Sequence, residues 1–226
     1  MRNRIRAGKQ VMKALARKIL PEHFIEELRR YRQFKKTERP IYLRLRIADK
    51  LGMQSRKVPP SARSLVFVCF GNIMRSPIGE AFFKEAIALH GNASVKVSSA
   101  GLNATPGTPA HPWAIAAARE FGISLDLHQA TLLTRAMVDE ADAIVAMDFQ
   151  NQVELLSRFP DAADRFYLLG AYSGTAGSIE IRDPFYGDLE ETRRCYQRLQ
   201  TCVRNLAASL EGSRTESSTA TSSRAR

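Results

Sequence analysis

Cys69 and Arg75 are the residues from which chemistry can be read. They lie in the run Val66-Phe67-Val68-Cys69-Phe70-Gly71-Asn72-Ile73-Met74-Arg75-Ser76-Pro77, where five residues separate a thiol from a guanidinium. A loop this short must curl, which turns successive backbone N–H groups inward and makes a nest for an anion. Gly71 permits close approach, and Asn72 tolerates the left-handed region. Arg75 can close the ring with a bidentate contact to two phosphate oxygens, a geometry that Lys does not match. The same positive field favours the thiolate, which is the nucleophilic form of Cys69. This layout suits transfer of a phosphoryl group onto cysteine. The Ser76 hydroxyl can donate to the sulfur and steady it as a leaving group.

The flanking elements decide whether the loop can work this way. Residues 65–70 are short, apolar and partly β-branched, the pattern of a buried strand. Ser76-Pro77 predicts a helix start, with Ser as N-cap and Pro at the first helical position. Phe83 and Ile87 carry its apolar face to about Leu89, and His90-Gly91-Asn92 supplies the stop. A strand before, Gly-Asn within and Ser-Pro after favour an anion cradle over a core cysteine with an unrelated surface arginine.

A phosphate ester also needs a proton donor for its leaving oxygen. Asp183, in Ile181-Arg182-Asp183-Pro184-Phe185-Tyr186-Gly187-Asp188, sits in a loop marked by Pro184 and Gly187. Phe185 and Tyr186 on that loop suggest a wall for an aromatic ring. Without Cys69 as partner, an ordinary Asp-Pro turn would be the better reading of this segment.

From residue 64 to about 210 the chain resembles a low-molecular-weight protein tyrosine phosphatase. The pieces that carry the resemblance occur in the family's order. They are the Val68–Pro77 run, Ser98-Ser99-Ala100-Gly101, Phe121-Gly122-Ile123, His128, Ile144-Val145-Ala146-Met147-Asp148 and Asp183-Pro184-Phe185-Tyr186-Gly187. The resemblance implies Cys69 as nucleophile, Arg75 as phosphate clamp and Asp183 as general acid, then as base for the attacking water. It implies a substrate cradle of Phe70, Gly71, Asn72, Ile73, Met74 and Ser76, with Phe70, Phe185 and Tyr186 at the rim. Asn72, Ser76, Ser99 and His128 would hold the loop by hydrogen bonds. It implies no metal and no organic cofactor. Two departures stand out. Met74 occupies the place where many members carry a second cysteine, so that redox protection is absent. Thr131 stands where an arginine usually follows His128.

The chain has 226 residues and three cysteines, an odd count that argues against a disulfide framework and for a reducing, cytoplasmic setting. Cys195 and Cys202 fall on a predicted amphipathic helix over 190–210 and read as core thiols. Seven residues apart, they are separated by about 10.5 Å along the axis, too far for a disulfide. The four histidines have no metal-ligand spacing; His111 and His23 read as surface residues. No apolar run approaches 18 residues, so no membrane span is expected, nor is a signal peptide.

Residues 1–60 hold 18 Lys+Arg against 5 Asp+Glu, and the remainder is close to neutral. This basic arm reads as three helical pieces over 8–20, 21–36 and 40–51, the last with Leu43, Leu45 and Ile47 alternating like a strand as well. Residues 52–61 read as a linker and 212–226 as a disordered tail. Between them, strands at 65–69, 95–99, 143–147 and 166–169 alternate with helices at 77–89, 111–121, 149–158 and 189–210. That alternation predicts an α/β fold over 61–211: three layers, a four-stranded parallel sheet with helices on both faces, plus the helical N-terminal arm.

The leading function is hydrolysis of phosphotyrosine in proteins and of small aryl phosphates through a cysteinyl-phosphate. Two alternatives remain at this point. An arsenate reductase uses a similar loop but needs two further cysteines on a mobile segment. A phosphotyrosine-binding module anchored by the arm is the other, although Cys69, Arg75 and Asp183 are all present. Residues 1–60 point to an anionic membrane surface, with a cytoplasmic protein held at the membrane periphery, or to a protein partner; nucleic acid is disfavoured because no binding motif occurs.

Overall fold

The computed structural model describes residues 22–53, 56–89, 95–174 and 178–210. The expected helix over 8–20, the stop at His90-Gly91-Asn92, the His23 side chain and the tail from 212 lie outside the described residues. The chain divides into two compact units, Met1–Ile47 and Ala48–Arg226.

In the first unit, helix α1 (Glu22–Gln33) is followed by helix α2, which runs Arg39–Lys50. The Glu27 carboxylate accepts from Tyr42 Oη at 2.6 Å and from Arg46 Nε at 2.6 Å. The Phe34 and Tyr42 rings lie 4.6 Å apart. Burial alone would raise the Glu27 pKa; the Tyr42 hydrogen bond and Arg46 outweigh it and hold it below the usual carboxylate range. The strand-like alternation of Leu43, Leu45 and Ile47 loses to helix because Tyr42 and Leu45, three apart, share one buried face.

The second unit is built on a sheet of β1 (Ser64–Cys69), β2 (Lys96–Gly101), β3 (Ala143–Ala146) and β4 (Phe166–Leu168). The order is β2-β1-β3-β4 and every pairing is parallel. Leu65, Phe67 and Cys69 alternate into one core with Ala143 and Val145. Helices α3 (Arg75–Leu89), α4 (Pro112–Glu120) and α7 (Leu189–Ser209) close that core. Val66, Val68, Ile144 and Ala146 are buried as well, with α6 (Phe149–Arg158) packed on β3 and β4. Burial of both residue sets explains why β1 reads as a continuous apolar run rather than an alternating one. β1 and β3 feed neighbours on opposite sides, so the C-terminal end of the β1–β3 pair is a topological switch point, where open α/β sheets place ligands.

Three local differences from the sequence reading have physical causes. Helix α3 starts at Arg75, before the expected cap, because the Ser76 hydroxyl is engaged elsewhere, as described below. Pro77 still falls in the first turn, where a missing N–H costs nothing. A short helix α5 (Arg135–Glu140), capped by Thr134 Oγ1 accepting from Met137 N at 3.3 Å, was not anticipated. Residues 56–61, part of the 52–61 segment that reads as linker, pack on the domain. Val58 is 2% exposed and its N–H donates to Tyr172 Oη at 2.7 Å. Arg56 and Lys57 donate to the carbonyls of Asp164 and Ala171.

Candidate active site

The segment between β1 and α3 curls over the switch point. Cys69, 3% exposed, ends β1 at its floor. Asn72 has φ 54°, the one described non-glycine residue in the left-handed region, and its side chain explains how that strain is held. Asn72 Nδ2 donates to Ser76 Oγ (2.9 Å) and Ser99 Oγ (3.0 Å), and its Oδ1 accepts from Thr131 N (2.8 Å). His128 Nε2 meets the Asn72 carbonyl at 2.7 Å. The arginine missing at Thr131 is therefore not needed for this link, because Thr131 supplies a backbone donor. Gly101 is required for the same reason of space: a Cβ there would lie 2.7 Å from Asn72 N and from Gly71 C.

Two donors reach the sulfur. Asn72 N–H points to Cys69 Sγ at 3.3 Å, and Ser76 Oγ lies 3.0 Å from it. The Ser76 hydroxyl has one proton and a choice of acceptors, Cys69 Sγ or the Ala100 carbonyl at 3.2 Å. A developing thiolate is the stronger acceptor, so charge on sulfur draws that proton.

Arg75 is 1% exposed. Its Nη1 donates to Asp148 Oδ2 (2.5 Å) and to the Ile181 carbonyl (2.9 Å), and its Nη2 donates to Asp183 Oδ2 (2.5 Å). Nε has no protein partner although it is buried. Burial alone would lower the guanidinium pKa; the charges of Asp148 and Asp183 outweigh it and hold it above the ordinary value. A buried N–H on this loop lacking an acceptor is the feature an anion would satisfy.

The loop carrying Asp183 is tied at one end by Ile181 N–H donating to the Met147 carbonyl (2.7 Å) and at the other by Asp188, which caps α7 through Glu191 N (2.8 Å). Asp183 Oδ1 accepts from Phe185 N at 3.2 Å. Phe70, Phe185 and Tyr186 are 45%, 40% and 96% exposed, so apolar rings face solvent around the site. The Phe185 and Tyr186 ring centroids are 5.0 Å apart, edge to face.

The structure thus gathers Cys69, Arg75, Asp183, Phe70, Gly71, Asn72, Ile73, Ser76, Ser99, His128, Phe185 and Tyr186 around one loop. Met74 departs from expectation. Its side chain is 2% exposed in the core, so only its backbone can belong to the cradle, and its carbonyl accepts from Tyr196 Oη at 3.0 Å. Cys202 is buried, whereas Cys195 sits partly exposed beneath the Asp183 loop with its sulfur 3.6 Å from the Arg182 carbonyl. Sequence reasoning missed two residues. Asp148 caps α6 through Asn151 N (2.8 Å) and fixes Arg75; it ends the Ile144–Asp148 piece of the resemblance, two residues after β3, but was given no role there. His111, read as a surface residue, caps α4 and meets the Phe185 ring at 5.5 Å.

The family model for low molecular weight phosphotyrosine protein phosphatases matches residues 64–216. A protein-arginine-phosphatase of Bacillus subtilis (strain 168) is 35% identical over 151 residues, covering 66% of this chain and 98% of that protein. The low molecular weight protein-tyrosine-phosphatase Wzb of Escherichia coli (strain K12) is 31% identical over 147 residues, 65% of this chain and 95% of Wzb. Among solved structures, a variant of the YwlE arginine phosphatase with a phosphorylated active-site serine aligns with TM-score 0.62 and 32% identity. It covers 67% of this chain and 98% of that one.

Proposed function

The chain belongs to the low molecular weight phosphotyrosine protein phosphatase family, and on that premise we propose that it hydrolyses phosphotyrosine in proteins through a cysteinyl-phosphate. The observation that carries the reading is Arg75: fully buried, its Nε unpartnered, at the end of the loop whose floor is Cys69. A phosphoryl group seated in the cradle takes Nε and competes with Asp183 for Nη2. Cys69 Sγ then attacks phosphorus in line with the leaving oxygen. The S–P bond forms as the P–O bond breaks, and Asp183 gives its proton to the departing phenoxide. In the second step Asp183 takes a proton from water, whose oxygen attacks phosphorus. Sulfur leaves as thiolate, receiving hydrogen bonds from Asn72 N–H and Ser76 Oγ. Asp148 keeps Arg75 in register throughout.

The exposed rings of Phe70, Phe185 and Tyr186 support an aryl substrate, since a phenyl ring gains edge or face contacts there. Relatives named as arginine phosphatases support phosphoarginine as the second reading. Initial rates on matched phosphotyrosine and phosphoarginine peptides, with Cys69→Ser as the inactive control, separate the two; a higher kcat/KM on phosphoarginine overturns the first. Arsenate reduction loses its support, because Cys195 and Cys202 both sit on helix α7 rather than on a mobile segment.

For the arm, the proposal is peripheral docking on an anionic membrane from the cytoplasmic side. Its support is the charge of residues 1–60 and the exposed Leu43 and Ile47, one turn apart on α2 beside exposed Arg44. Binding to anionic vesicles should weaken with salt, at about 1 kcal/mol per engaged basic residue. No vesicle binding by the full chain would leave a protein partner instead.

A further inference from the structure

His111 joins three parts of the site that the sequence keeps far apart. Its backbone N–H donates to the Ile73 carbonyl of the cradle at 2.9 Å. Its Nδ1 accepts from Trp113 N at 3.2 Å and so caps helix α4. Its ring packs in a T-shaped arrangement with that of Phe185, on the Asp183 loop, with centroids 5.5 Å apart and planes at 61°. Capping alone does not call for an imidazole, since Ser, Thr, Asp and Asn perform it with smaller side chains. The ring adds the contact to Phe185.

That contact matters because of what substrate does to Arg75. Among the described residues, Cys195 Sγ meets the Arg182 carbonyl just before Asp183, and two contacts from other elements bear on Asp183 itself and on Phe185: Arg75 Nη2 on the Asp183 carboxylate and the His111 ring on Phe185. A phosphoryl group that takes Nη2 weakens the first. Asp183 must then be held at the leaving oxygen by the loop itself, through the Phe185 N–H on Oδ1. The placement of Phe185 thereby becomes the placement of the carboxyl.

We propose that His111 is a positioning residue for proton transfer, locking the Asp183 loop to the phosphate cradle through Phe185 once substrate has occupied Arg75. The inference rests on the reading of Asp183 as general acid. It assigns the His111 side chain a role in kcat and none in phosphate capture, because its ring meets the acid loop, while the link to the cradle is made by its backbone N–H, which substitution leaves in place.

Three variants separate ring from cap. His111→Asn keeps a capping acceptor and loses the ring. His111→Phe keeps the ring and loses the cap. His111→Ala loses both. An edge-to-face ring pair corresponds to about a two- to tenfold effect on rate. Measured on aryl phosphates of graded leaving-group pKa, His111→Asn should lower kcat by that factor for basic leaving groups and leave acidic ones unchanged. Competitive inhibition by inorganic phosphate should stay within twofold. His111→Phe should recover most of kcat while melting as low as His111→Ala, which a merely structural role would not do. The proposal is overturned if His111→Asn keeps kcat within twofold on basic leaving groups, if its loss is uniform across leaving groups, or if His111→Phe recovers nothing. Asp183→Asn is measured alongside. A normal Asn variant beside an impaired Asp183→Asn sinks this inference alone, whereas an unimpaired Asp183→Asn sinks the functional reading beneath it.

Discussion

Replacing Asp183 by Asn should slow the reaction and tighten phosphate binding at once. Asp183 Oδ2 sits 2.5 Å from Arg75 Nη2, and the arginine is 1% exposed against 37% for the Asp side chain. A charge-assisted hydrogen bond contributes about 1.5–3 kcal/mol. With the carboxylate a third exposed, solvent screening reduces this to about 1–2 kcal/mol. An oxyanion entering the cradle must displace that contact and then sit near a like charge. Asn removes the charge and most of the competition, while Asp148 still holds Nη1 at 2.5 Å, so Arg75 stays in register. Phosphate and vanadate should therefore inhibit Asp183→Asn about 5- to 30-fold more tightly than the parent, at fixed ionic strength. In the same protein, kcat on phenols of high pKa should fall about 10²–10³-fold, shrinking toward parity for leaving groups that need no proton. The assay is a leaving-group series for kcat with competitive inhibition constants for both anions. Unchanged or weaker inhibition would show that Asp183 does not compete for the clamp. A loss of kcat independent of leaving-group pKa would show that Asp183 is structural.

Cys69→Ser should abolish turnover and retain phosphate binding in calorimetry, and Arg75→Lys should lose both, since a point charge cannot supply the Nε and Nη2 pair; residual activity within tenfold in either refutes the roles. Cys195 is partly exposed as a residue, but desolvation of its sulfur beneath the Asp183 loop pushes that thiol up to about 12, and burial pushes the Cys202 thiol upward too. Iodoacetamide at neutral pH should then label folded protein once, at Cys69, and phosphate should protect; a second label by peptide mapping contradicts this. Because those thiols stay neutral in the fold while unfolded ones ionise near pH 9, stability should decline as pH rises from about 9 towards 12, and Cys195→Ala should flatten the decline in denaturant titrations. Peroxide should inactivate with poor recovery on adding reductant, as Met74 offers no neighbouring thiol; full recovery would point to another protecting group. Truncation at Ser61 removes buried Val58 and its bond to Tyr172, so it should cost about 2–3 kcal/mol, or about 5–10 °C in Tm, with kcat within a few-fold. Truncation near Gly52 should not; equal melting of the two would refute the packing of 56–62.

β1 and β3 were legible because they are buried on both faces, which leaves uninterrupted apolar runs at 65–69 and 143–146. Helix α5 escaped because six residues hold less than two turns of periodicity, and its Thr134 cap resembles any other polar residue in a loop. The linker reading of 52–61 failed for a related reason. Pro59, Pro60 and Ser61 have loop composition, yet Val58 N–H reaches a hydroxyl 114 positions away, and Arg56 and Lys57 reach the carbonyls of Asp164 and Ala171. Composition reports flexibility of the backbone and is blind to such long-range anchors.

The candidate site divides the same way. Cys69, Arg75 and Ser76 are legible because one short loop sets their spacing, and the loop's local geometry does the work. Asp183 needed the resemblance, or Cys69, to lift it above a turn. Asp148, though part of a run that carries the resemblance, and His111 were assigned no function, because each already performs a complete local task as an N-cap. Their second contacts, to Arg75 and to Phe185, exist only after the sheet brings the ends of β1 and β3 and the 181–188 loop together. An N-cap residue at the C-terminal edge of a parallel sheet is held rigidly by its own helix. Its free atoms are therefore well placed to orient a catalytic neighbour. Capping positions at this edge are where positioning residues hide from sequence reading, since the bland explanation of each is true and incomplete.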